Sequence, residues 1–152
     1  MDLKNLVRSI AKAHGVDDDF VCGLVKTESH WNEYAVRYEN HWKYFVDPTK
    51  YAHMNGITME TETVLQKISW GLPQVIGGKA RELGYDGPLT ELVRPEVVMP
   101  YACLFMKKLY DRYKSYDYVA AAYNMGTPIL DPKTGKFRNQ HYVDKVMQNL
   151  GG

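Results

Sequence analysis

A chain of 152 residues and 17.5 kDa suits one domain spanning 1–152, and at that length roughly 68–70% of the unfolded surface is buried on folding. With 45% hydrophobic and 24% charged residues the composition excludes a disordered chain. Nineteen Lys plus Arg stand against eighteen Asp plus Glu, a net charge of +1, so neutralisation of nucleic-acid phosphates is not an expected role.

In chain order, Leu3, Leu6, Val7, Ile10 and Ala11 recur at helical spacing, and Gly15 offers a stop. The run Asp17-Asp18-Asp19 caps a second helix through Phe20, Val21, Leu24 and Val25 to about Ser29. Residues 33–58 lose the helical period and carry Asp47-Pro48 and Asn55-Gly56, which predicts an irregular or small β-hairpin insertion. Helix returns over Glu60–Ile68. Pro73 is placed to start another helix that Gly84 ends, although Gly77 and Gly78 weaken it and also permit close backbone approach. Pro95 opens a longer helix with Val98, Tyr101, Ala102, Phe105 and Leu109 on one face, Pro100 implying a kink or a late start. A short helix over Tyr118–Tyr123, a loop with Asp131-Pro132 and Thr134-Gly135, and a last helix from about His141 to Leu150 complete a single, mainly α domain.

The longest apolar run, Val97–Met106, is half the roughly 20 residues a membrane span requires, so no span is expected. Met1–Asn5 lacks the apolar region of a secretory signal peptide. Cys22 and Cys103 make neither a disulfide framework nor a zinc site, and read as small buried hydrophobes, with one disulfide as the alternative. His14, His30, His41, His53 and His141 form no His-Glu-x-x-His pattern, and no serine sits in a glycine-flanked elbow. No metal and no cofactor are therefore expected.

Two features stand out chemically. Seven aromatic residues fall between Trp31 and Tyr51, where the chain average predicts about three. Glu28 follows Val21, Leu24 and Val25 at i+7, i+4 and i+3, so an acid shares the apolar face of the second helix. Such a carboxyl resists ionisation and suits a general acid, whereas the plain alternative turns it to solvent or pairs it with Lys26 or a nearby arginine. Trp31 and Asn32 occupy i+3 and i+4, so this helix supplies no second acid in register.

Three ordered blocks surround Glu28: Glu28-Ser29, then Gly71-Leu72-Pro73-Gln74, then Ala122-Tyr123-Asn124-Met125-Gly126. Over residues 16–146 they resemble the lytic transglycosylase (SLT) domains of the lysozyme-like superfamily, most of all the bacteriophage version. The resemblance implies a lysozyme-like (SLT / goose-type lysozyme-like) helical fold that acts on peptidoglycan glycan strands as a monomer. It matches Glu28 to the single acid/base and Ser29 to its supporting neighbour. Gly71, Leu72 and Gln74 match the turn lining the sugar cleft, and Tyr123 and Asn124 the polar-aromatic wall facing the glutamate. Pro73 departs from the family's frequent methionine, and the long stretch from Tyr38 to Ile68 implies extra subsites. Trp31 and Trp70 adjoin the blocks, Trp31 as a sugar-stacking candidate and Trp70 as either that or a packing anchor.

The implied reaction cleaves the β-1,4 bond after N-acetylmuramic acid (MurNAc) and closes a 1,6-anhydro ring on that sugar. The rival on the same fold is a goose-type lysozyme-like muramidase, which needs a second carboxylate; Glu39 and Glu62 are the candidates, each more simply read as a surface charge or ion-pair partner. A different class of answer is a non-catalytic peptidoglycan-binding or virion structural module, against which the intact Glu28 speaks. Peptidoglycan lies outside the inner membrane, so a phage endolysin released at lysis or a virion-associated enzyme is the expected setting.

Overall fold

The computed structural model describes residues 1–152. Its helices are α1 (Leu3–Ala13), α2 (Asp18–Ser29), α3 (Pro48–Asn55), α4 (Met59–Gln66), α5 (Gly77–Glu82), α6 (Pro95–Tyr113), α7 (Tyr116–Met125) and α8 (Gln140–Gln148), with a 3-10 turn at Leu89–Val93. Strands β1 (Val36–Tyr38), β2 (Ile68–Trp70) and β3 (Val75–Ile76) form one antiparallel sheet in that order. The mainly α architecture with a small hairpin is the one expected. No helix is long and apolar enough to cross a membrane. The chain packs as two units, Met1–Glu28 with Cys103–Gly152, and Ser29–Ala102.

In the first unit α2 is the central element. The Asp17 carboxylate accepts the Phe20 N–H at 2.9 Å as an N-cap, and Arg8 of α1 pairs with Asp18 and, at 2.9 Å, with Asp19. Phe20, Val21, Cys22, Leu24 and Val25 are all enclosed, so the middle of the helix is buried on every side. Gly23 allows α8 to approach: a Cβ there would lie 2.7 Å from the Val146 carbonyl oxygen. Asn149 Nδ2 donates to Thr27 Oγ1 at 3.1 Å and ties the same two helices. Cys22 and Cys103 are buried free thiols, as small hydrophobes should be. Pro100 is carried inside α6, which starts at Pro95 and not later.

The second unit departs from the expected elements in two places. Residues 48–55 are helical, because Asp47 accepts the Lys50 N–H and Pro48 opens the first turn; the Asp-Pro pair starts a helix where a loop was expected. Pro73, in contrast, starts none. Trp70 pairs with Val75 and Ser69 with Ile76, so residues 71–74 are the turn of a hairpin. Gly71 at φ +69° and Gln74 at φ +52° shape that turn, and a Cβ on Gly71 would meet the Leu92 carbonyl oxygen at 2.6 Å. The helix begins only at Gly77-Gly78, where Cβ atoms would fall 2.5 Å from the Leu65 carbonyl oxygen and 2.5 Å from the Trp42 indole nitrogen. The paired glycines mark close packing at a helix start.

Under these elements lies a buried ion pair. Glu62 of α4 takes Arg81 Nη2 at 2.7 Å and Nε at 3.2 Å, with both side chains 0% exposed. Arg81 also donates to the Tyr85 and Gly87 carbonyls, and its guanidinium lies 4.4 Å from the centre of the Tyr51 ring. Gln66 completes the set. Its amide donates to Glu62 and Val46, and its carbonyl oxygen accepts the Val46 N–H.

Candidate active site

Glu28 sits in the last turn of α2, half-buried, one turn beyond the enclosed Leu24 and Val25. Two phenols from the same unit meet its charge, Tyr123 of α7 and Tyr142 of α8. Burial drives the Tyr123 hydroxyl well above the ordinary phenol range, and the Glu28 carboxylate and then Cys103 add to that. Tyr142 is raised well above it too, first by burial, then by Glu28 and Tyr123. A phenolate beside a carboxylate in a poorly solvated place is doubly unfavourable, so both groups stay O–H donors. Tyr123 is steadied by Phe105, ring centre to ring centre 5.5 Å. The Tyr142 oxygen is buried, and its interaction with the Glu28 side chain adds to the rise of the phenol.

Tyr142 was not legible in the sequence. It precedes Val143 and shares a helix face with Val146, both buried, so periodicity reads it as a rim aromatic. Asn124, expected on the wall facing Glu28, is exposed and accepts the Asn139 Nδ2–H at 2.9 Å. The same Asn139 amide donates to the Ala121 carbonyl at 3.1 Å, so the pair ties the segment before α8 to α7.

The remaining expected site residues lie in the second unit. Ser29 is buried at 8% exposure, and the chain then reverses through His30 (φ +52°) and the half-buried Trp31 (φ +64°). Two successive left-handed non-glycine residues store about 1–3 kcal/mol each, a cost found where function demands a shape. In the hairpin, Gln74 Nε2 donates to the Ala35 and Gly71 carbonyls, both at 3.0 Å, and Gly71 N–H reaches the Ala35 carbonyl at 2.8 Å. Leu72 is wholly enclosed, so its side chain holds the turn and presents no surface to a ligand. Trp70 is a packing anchor, 5% exposed, with its indole N–H on the Leu65 carbonyl at 3.3 Å.

Both candidates for a second carboxylate are engaged. Glu62 is sealed against Arg81. Glu39 accepts from Ser69 Oγ at 3.1 Å and lies 3.5 Å from Arg37 Nε and 4.0 Å from His41 Nδ1. No trio of His, Cys, Asp or Glu is grouped to hold a metal ion.

Residues 5–144 match the family described as the transglycosylase SLT domain. The chain belongs to that family. No curated protein and no solved structure matches it. The SLT match runs from α1 into α8 and so takes in Glu28, the hairpin and both phenols. SLT domains are lytic transglycosylases of lysozyme-like fold acting on peptidoglycan, and the eight helices with their small antiparallel sheet are that fold.

Proposed function

We propose that this SLT domain cleaves the β-1,4 bond between MurNAc and N-acetylglucosamine with Glu28 as its only acid/base, leaving a 1,6-anhydro end. The observation that carries the reading is the pairing of a half-buried carboxyl with two phenols held neutral beside it. Protonated Glu28 gives its proton to the glycosidic oxygen. The MurNAc C1–O bond breaks, and the departing sugar leaves with a neutral 4-hydroxyl. Charge developing at C1 is shared with the substrate's acetamido oxygen. The MurNAc C6 hydroxyl then bonds to C1 and returns its proton to the Glu28 carboxylate, so no water is consumed. Between the two transfers Glu28 is an anion, and the neutral Tyr142 and Tyr123 hydroxyls are the donors able to steady it.

The commitment of Glu62 to Arg81 favours this route over a hydrolase that needs a second carboxylate. The family match, running through both packing units, supports treating residues 1–152 as one catalytic domain. Mass spectrometry of digested sacculi tests the reading. Wild type should release muropeptides with 1,6-anhydro ends, and Glu28→Gln should keep the fold and glycan binding while turnover disappears. Reducing MurNAc ends carrying oxygen from labelled water would replace the transglycosylase with a muramidase, and unchanged turnover would remove Glu28.

A further inference from the structure

The aromatic cluster of the second unit is split: Tyr51 is buried, while three tyrosines stand outside the core. Tyr34 is 70% exposed, Tyr38 55% and Tyr44 66%, whereas tyrosines are ordinarily intermediate in burial. The exposure is built in. β1 is an edge strand whose Val36 and Tyr38 share one face. Beyond it the chain is pinned at Trp42, against Gly78, and at Val46, bonded twice to Gln66. Between those pins Tyr44 is held outward, with the Trp42 ring edge-on at 5.3 Å. Two of the three carry a lysine: Lys67 Nζ is 5.1 Å from the Tyr38 ring centre and Lys43 Nζ 6.0 Å from that of Tyr44.

We propose that these outward tyrosines form a holding site for the peptidoglycan strand, in which sugar rings pack on Tyr38 and Tyr44 while Lys67 and Lys43 take stem-peptide carboxylates. The inference rests on the peptidoglycan reading and extends it to what the enzyme grips. A pyranose offers an apolar face for an aromatic ring, and a muramyl sugar carries an anionic stem beside that face. Tyrosine with an adjacent ammonium complements both features, whereas an uncharged polysaccharide uses only the first.

The test uses Glu28→Gln protein, which holds substrate without consuming it, in pelleting assays with purified sacculi and with sacculi stripped of stems by an amidase. Tyr38→Ala with Tyr44→Ala should weaken binding about tenfold on both materials, and the Phe pair should bind within about twofold of the parent. Lys43→Glu with Lys67→Glu should weaken binding about tenfold on intact sacculi and far less on stripped ones. Parent-like binding by the alanine pair overturns the holding site, as does equal loss by the lysine pair on both materials. Failure of wild type to form anhydro ends would instead sink the reaction proposed for Glu28, and the pelleting result stands apart from it.

Discussion

Glu62→Gln puts the buried ion pair to the test. The substitution keeps the volume and removes the charge, leaving the Arg81 guanidinium, 0% exposed, without its counter-ion. Two of Arg81's contacts end on Glu62, while two others, to the Tyr85 and Gly87 carbonyls, remain to hold the cation in place. Breaking one side of a fully buried pair costs about 3–5 kcal/mol. For a chain of this length each kcal/mol lowers Tm by about 2–4 °C, so a drop of about 6–20 °C is expected in a thermal melt. Arg81→Met should sit at the upper end, because it strands the carboxylate and two carbonyls together. The double substitution Glu62→Leu/Arg81→Met should recover much of the loss, since no lone charge remains. Turnover per folded molecule, measured well below the lowered Tm, should match wild type. A melt unchanged within about 2 °C would refute the energetic argument. Turnover lost at an unaltered Tm would return Glu62 to the list of catalytic carboxylates.

Tyr142→Phe should shift Tm by only a few degrees, as it removes one buried hydroxyl and no volume from the core, while kcat falls about 10–100-fold if the phenol steadies the Glu28 anion; an unaltered kcat would remove that role. Gly23→Ala should destabilise by about 1–3 kcal/mol in urea unfolding, because its Cβ would press on the α8 backbone at the Val146 carbonyl oxygen, 2.7 Å away. Stability should also fall on the alkaline side. Burial pushes the Cys103 thiol up to about 12 and, with help from Glu91, the Tyr85 phenol to about 12, against ordinary values of 9.0 and 10.0. A group whose folded value is raised keeps its full stabilising effect below the unfolded value and loses it as pH climbs to the folded one. The urea midpoint should therefore be flat to about pH 9 and decline from there to about pH 12, and Cys103→Ala should delay the onset. A flat midpoint across that window would contradict the burial of both groups.

The sequence by itself determined the helical frame and the place of Glu28 at the end of α2. Caps, stops and the i, i+3, i+4 pattern are properties of neighbours along the chain, so α1, α2, α4 and α6 were readable from them. So was Glu28, whose apolar face is written in Val21, Leu24 and Val25. The three ordered blocks were enough to suggest the family that the match over residues 5–144 establishes. Only the tertiary structure decided what each distant partner does. Pro73 looked like a helix start until the pairing of Val75 and Ile76 with β2 made it part of a turn. Glu62 was one of several acids until Arg81 was found sealed against it, and Leu72 passed from the cleft lining to the core. Tyr142 joined Glu28 from the far end of the chain. Within the aromatic run Tyr51 is buried while Tyr34, Tyr38 and Tyr44 stand exposed, a division set by remote packing. A side chain's local pattern says which way it leans on its own element, but its energy depends on which remote groups close around it, and no short-range period encodes those.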